Sequence, residues 1–218
     1  MIFFDHAGSL KQQDSFWQEL EQFRKLCSSA CVFLIGRPWD PIPVPHVKIT
    51  AEATTAPELT AYFHLRNRNS AEIISLTAGI PALLFEYDPE MPLEANIRSV
   101  LRTDSEFYRL APDWMNSCFR TPESYNTLLY GMAHGCHRIS ELAAFSGFPK
   151  NKCDKYIKTL IKHGLVQKEI GSNGCGRYLP ANSYLYLWYR VLFSAIPDAG
   201  GWFSEKTRCE FMDCFRSE

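Results

Sequence analysis

The chain has 218 residues, a formal charge of -1, and 46% hydrophobic residues including many aromatics. That composition excludes an intrinsically disordered chain and leaves room for one large domain or two small ones. Near neutrality says nothing about partners by itself, so local charge has to be read.

Met1-Ile2-Phe3-Phe4 meets Asp5 at once, with no basic or long apolar leader, and no run approaches the roughly 18 apolar residues of a membrane span. A cytoplasmic protein without a membrane partner is therefore expected. The eight cysteines, Cys27, Cys31, Cys118, Cys136, Cys153, Cys175, Cys209 and Cys214, are scattered, and several fall on apolar positions. They read as buried free thiols in a reducing compartment rather than a disulfide framework.

Ile2–Phe4 and Cys31–Ile35 are short apolar runs with the composition of buried strands. Between them, Asp14 or Ser15 is expected to cap a helix carrying Phe16, Leu20, Phe23 and Leu26 on one side, which makes a strand–helix–strand crossover unit. The proline-dense segment 37–45 reads as a linker or extended surface segment. From Ala56 to about Phe119 the pattern predicts four or five short helices. Pro57 and Pro92 fall in first turns, Pro81 and Pro112 are expected at breaks or kinks, and a helix at 70–78 ends on Gly79 with Ile73, Ile74 and Thr77 inward.

The segment Ser124 to Pro180 reads as a winged helix-turn-helix. A first helix opens at Thr121-Pro122-Glu123, carries Tyr125, Leu128, Leu129 and Met132 at helical spacing, and ends at Gly135. A shorter helix holds Ile139, Leu142 and Ala143 and closes at Ser146-Gly147. The third, 151–163, has a stripe of Cys153, Tyr156, Ile157, Leu160 and Ile161, with Gly164-Leu165 as a left-handed cap. At that glycine the period changes from helical to alternating over 165–170. Gly171-Ser172-Asn173-Gly174 then supplies a turn, and Arg177-Tyr178-Leu179 a return strand.

Lys152, Lys155, Lys158 and Lys162 lie off the stripe of the third helix, with Asp154 its only acid. Together with Lys150, Lys168 and Arg177, and allowing for Glu169, they leave about five net positive charges on a neutral chain. Such a cluster on a recognition helix suits phosphate contact with duplex DNA, the hairpin tip with Asn173 reaching a neighbouring groove. The competing reading is a solvated or protein-binding outer face. Asn151 and Thr159 are the candidate base readers, and the absence of arginine on the helix predicts modest specificity.

From about Ala78 to Phe193 the chain resembles the archaeal-type ATPase family, a branch of the AAA- and STAND-like P-loop proteins. The resemblance rests on Gly79-Ile80-Pro81 with Leu83-Leu84, Asp88-Pro89 with Leu93 and Asn96-Ile97, and Tyr125 to Gly135. It continues through Ser140-Glu141-Leu142, Tyr156-Ile157-Lys158-Thr159-Leu160, Gly164-Leu165-Val166 and Leu187-Trp188-Tyr189-Arg190. It implies a residual ATPase-core segment over 1–50, a helical lid over 51–120, a winged helix over 121–182 and a trailing helical segment over 183–218. A nuclease-like domain would follow in that family. By the same resemblance Ile2 to His6 stands where the family has its Walker B strand. Asp5 would hold a magnesium-bound water, while His6 replaces the glutamate that orients the attacking water.

No G-x-x-x-x-G-K-[ST] loop occurs in the sequence, so phosphates have no cradle and ATP with magnesium would enter only if a partner chain supplied one. The expectation is a non-catalytic fragment or degenerate relative of such an ATPase, mainly α within an α+β class and without a metal site. It would act as a DNA-binding or regulatory protein, or as an interaction module docking on a protein partner or a second copy through the lid and trailing helix.

Two other features have residue types that suggest a site or a docking surface. His134-Gly135-Cys136-His137 has metal-ligand residue types but no second ligand pair, and reads as a surface loop. In the trailing segment, Tyr184, Leu187, Trp188, Val191 and Leu192 form one apolar stripe expected to pack under the winged helix, with a dimerisation face as the alternative. Residues 202–215 are aromatic enough for a docking helix with exposed apolar surface.

Overall fold

A computed structural model describes residues 2–4, 14–27, 32–34, 54–63, 67–170 and 176–216. The chain divides into two units, Met1–Ala51 and Glu52–Glu218. Both contain helix and strand, and the architecture is mainly α.

In the first unit β1 (Ile2–Phe4) pairs in parallel with β2 (Val32–Leu34), in the register Ile2 to Val32 and Phe4 to Leu34. Parallel pairing requires a crossover, and α1 (Asp14–Leu26) lies between the two strands in sequence. Trp17 is its buried residue, with Phe16 against it edge-on at 5.1 Å. Leu26, expected on the inward stripe, is 85% exposed at the last helical position. Asp5, His6, Cys31 and the proline-dense segment lie outside the described residues.

The second unit opens with α2 (Ala56–Phe63), α3 (Asn67–Thr77), α4 (Pro81–Leu84), α5 (Leu93–Val100) and α6 (Glu106–Cys118). Pro57 sits in the first turn of α2, where Glu58 accepts from the Thr55 amide and hydroxyl, both at 2.8 Å. After α3, Gly79 has a φ of 67°, and a Cβ there would meet the Thr54 carbonyl oxygen at 2.1 Å, so both conformation and space require glycine. The turn before α5 is organised by the buried Asn96. Its Oδ1 accepts from the Asp88 amide at 2.7 Å, and its Nδ2 donates to the Asp88 and Met91 carbonyls at 2.8 and 3.2 Å. Glu86 accepts from the first two amides of α6, those of Glu106 and Phe107, at 2.7 and 2.9 Å.

Neither proline expected at a break interrupts a helix. Pro81 starts α4, where its missing N–H costs nothing. Pro112 lies inside α6, leaving the Tyr108 carbonyl without its helical donor. The Trp188 indole supplies one instead, with Nε1 at 2.9 Å from that oxygen, and the Tyr184 hydroxyl donates to the neighbouring Phe107 carbonyl at 2.9 Å.

Next come α7 (Glu123–Ala133), α8 (Ile139–Ser146) and α9 (Lys150–Lys162), then an antiparallel hairpin of β3 (Val166–Ile170) and β4 (Gly176–Pro180), paired from Val166–Pro180 to Ile170–Gly176. The chain continues as α10 (Ser183–Leu187), which runs into a π-helical turn over Trp188–Leu192, and finishes with α11 (Glu205–Arg216).

The segment 183–192 is buried on more than the one expected stripe: Leu185 and Tyr189 are as inaccessible as Tyr184 and Leu187. It packs against α3, α6, α7, α11 and β4, so it runs through the middle of the unit. In α11 the aromatic side chains Phe211 and Phe215 point into the core, which removes them from the exposed docking surface expected there. A continuous hydrophobic cluster reaches from Leu59 to Phe215 and draws on 51–120, 121–182 and 183–218 alike.

The free cysteines span all exposures. Cys153 is buried, Cys118, Cys136 and Cys214 are half-buried, and Cys27 and Cys209 are exposed, so the expected buried set is only partly found. Among the described residues no helix is long and apolar enough to cross a membrane.

Candidate nucleic-acid interface

The lysine-bearing helix α9 is held from below and behind. Cys153, Ile157 and Leu160 are fully buried, and Tyr156 lies between the Tyr125 ring at 4.6 Å and the Phe148 ring at 6.3 Å. Ile161, placed on the stripe by its spacing, is 37% exposed because the stripe drifts around the helix by its last turn. Gly164 has a φ of 70°, its amide donates to the Ile161 carbonyl, and the Leu165 amide reaches back to Leu160, both at 3.0 Å. That pair of bonds is a Schellman closure, with the buried Leu165 as its apolar contact.

Helix α7 supports α8 at close range: a Cβ on Gly131 would meet the Phe145 ring at 2.8 Å. At the start of α8 the Glu141 carboxylate accepts from the His137 and Arg138 amides at 2.8 and 3.0 Å, and those bonds lower its pKa. Gly147, with a φ of 71°, ends α8, and Pro149 precedes α9 after a three-residue connection. The hairpin is tied back to this turn, since the Tyr178 amide donates to the His137 carbonyl at 2.8 Å.

The cations named from sequence fall into three groups. Lys150, Lys155, Lys162, Lys168 and Arg177 are exposed, and none is ion-paired with another described residue. Asn151, Lys155, Lys158 and Lys162 share one face of the helix by their spacing. Lys158 is exposed but held by Asp154, Nζ to Oδ2 at 2.7 Å, and this carboxylate raises the ammonium's pKa. Lys152 is half-buried, its ammonium 4.2 Å from the Phe148 ring centre and 5.3 Å from that of Tyr156, a cation–π arrangement that draws it aside.

The polar candidates are less available than the lysines. The Oδ1 of Asn151 accepts from the Lys152 amide at 2.8 Å, and the Thr159 hydroxyl donates to the Lys155 carbonyl at 3.0 Å. Asn173 lies outside the described residues. On the hairpin, Lys168 lays its stem across Gly176, where a Cβ would meet its Cε at 2.6 Å. Arg177 stands directly opposite Glu169.

His134 is committed to its own helix, with Nδ1 2.8 Å from the Tyr130 carbonyl. Among the described residues no three histidine, cysteine or acidic side chains converge as metal ligands. Sequence patterning missed one surface, an aromatic cluster in which Tyr130 faces Phe193 at 5.4 Å and Phe145 at 6.0 Å, with Phe145 43% exposed and Phe193 38% exposed.

No family model matches the chain, and no solved structure matches it. It is 24% identical over 128 residues to an uncharacterized protein of Methanocaldococcus jannaschii, an alignment covering 56% of this chain and 29% of that protein. The chain thus spans less than a third of the relative it matches.

Proposed function

We propose that residues 123–180 are a winged helix-turn-helix and that the chain is a non-catalytic DNA-binding or regulatory protein. Helix α9 would be the recognition helix and the hairpin the wing. The observation that carries this reading is the division of α9 into two faces. One side is buried through Cys153, Ile157 and Leu160, while the ammonium groups of Lys155 and Lys162 stand in solvent with no acid of a described residue bound to them. Exposed cations beside an anchored helix release counterions when they meet phosphates, which makes binding fall with salt. In the same proposal the chain is a relative of archaeal-type ATPases in which α2 to α6 stand for the lid.

The test is fluorescence anisotropy of the full chain on labelled duplex DNA across a salt series. The expected result is a linear fall of log affinity with log salt, with Lys155→Glu and Lys162→Glu each reducing the slope by about 1. Salt-independent binding, or no binding at low salt, overturns the proposal.

A second reading, an interaction module, draws on the exposed aromatic cluster around Tyr130, Phe145 and Phe193. Size-exclusion with light scattering distinguishes self-association from a monomer, and Phe145→Ser with Phe193→Ser should abolish any dimer seen.

A further inference from the structure

We infer that α9 meets duplex DNA without reading its base sequence, a conclusion that rests on the DNA contact proposed above. Direct readout in the major groove needs paired donors and acceptors. Arginine clamps guanine through N7 and O6 with a rigid fork, lysine meets the same two acceptors only as a flexible point charge, and asparagine or glutamine clamps adenine by accepting from N6–H while donating to N7. Over Lys150–Lys162 there is no arginine and no glutamine.

Asn151 is the one amide side chain on that helix, and its oxygen is already bonded to the helix backbone. Its Oδ1 takes the Lys152 amide proton at 2.8 Å, which occupies one of its two lone pairs and folds the amide back on its own helix, away from the paired donor–acceptor geometry that adenine requires. Without that pairing the Nδ2 donor cannot separate adenine from guanine, because both present N7 as an acceptor in the groove.

Thr159 is turned toward its own helix as well. Its hydroxyl proton goes to the Lys155 carbonyl at 3.0 Å, and its side chain is half-buried next to Tyr125 rather than facing out. Of the lysines, Lys152 is drawn over the Phe148 and Tyr156 rings and Lys158 is engaged by Asp154. The side chains left to reach out are Lys150, Lys155 and Lys162. Each ends in a compact ammonium on a flexible stem that carries donors only, which suits a phosphate oxygen and imposes no planar pairing geometry. The helix therefore holds the duplex by charge and position.

The experiment measures the full chain on a panel of equal-length duplexes of unrelated sequence, together with selection from a randomised duplex pool. The expected result is that affinities agree within roughly fivefold and no motif is enriched, whereas a base-reading helix separates sites by about a thousandfold or more. Lys155→Ala should weaken every member of the panel by the same factor. Enrichment of one motif, or a base preference that Asn151→Ala relaxes at a single position, overturns the inference and leaves the DNA contact standing. Failure to bind any duplex at low salt removes both.

Discussion

The indole Nε1 of Trp188 donates to the backbone carbonyl of Tyr108 at 2.9 Å, at the place where Pro112 has removed the helical donor. Eighty residues separate the two partners. A proline that the α6 ladder cannot accommodate alone is thus made tolerable by a side chain from the end of the domain. Trp188→Phe should cost about 1–3 kcal/mol in urea denaturation, because it leaves that carbonyl unsatisfied. In a Pro112→Ala background, where the backbone donor returns, the same change should cost less. Equal costs in both backgrounds would show that the two residues are not coupled.

Asp154 competes with any external anion for Lys158. Asp154→Asn should free that ammonium, tighten DNA binding and steepen the salt slope by about 1. Weaker or unchanged binding in the anisotropy salt series would place Lys158 outside the contact.

Asn96 is buried and satisfies the turn before α5 with both ends of its amide. Asn96→Leu keeps the branched shape but leaves the Asp88 amide and the Asp88 and Met91 carbonyls short of partners. A loss of about 2–4 kcal/mol in chemical denaturation is expected from stranding those groups.

The Glu141 carboxylate is held below its ordinary pKa by the His137 and Arg138 amides. Its contribution to stability is therefore present above the unfolded-state value near 4.5 and is lost as pH falls through the lower folded-state value. Glu141→Gln should lower the melting temperature at neutral pH, and the difference from the parent should shrink as the solution is acidified. A difference that is constant with pH would mean the carboxylate's charge is not what caps α8.

Gly79 carries both a left-handed φ and a carbonyl at 2.1 Å from where a Cβ would stand. Gly79→Ala should destabilise the protein by at least about 1 kcal/mol, whereas Gly135→Ala, with open space around it, meets only the conformational strain. Thermal melts of the two variants compare these directly.

The helices around the lysine face were legible in sequence because each carries its own punctuation. Gly147 and Gly164 take left-handed conformations where 8- and 13-residue helices end, and the alternating pattern after Leu165 becomes a hairpin. Segment 183–192 buries the expected stripe, and its burial extends further for a physical reason. An amphipathic template assumes one face in solvent, and with Leu185 and Tyr189 buried this segment has little exposed surface to show.

At the candidate interface, sequence identified which lysines leave the buried stripe but not which are already occupied. The spacing held that information. Asp154 precedes Lys158 by four residues, the favourable order for a helical ion pair, and Phe148 and Tyr156 flank Lys152 at four residues on either side. The hydrogen bonds of Asn151 and Thr159 to nearby backbone could not be read from residue types, because free rotamers of both exist.

The central course of 183–192 has a consequence for dissecting the protein. A cut after Pro180 would strip the floor from α7 and expose the lipophilic undersides of several helices at once, so an expressed stub ending there should precipitate rather than bind. The shortest workable piece retains α10 and the π-helical turn, and grafting the lysine helix onto another scaffold would have to carry that plug along with it.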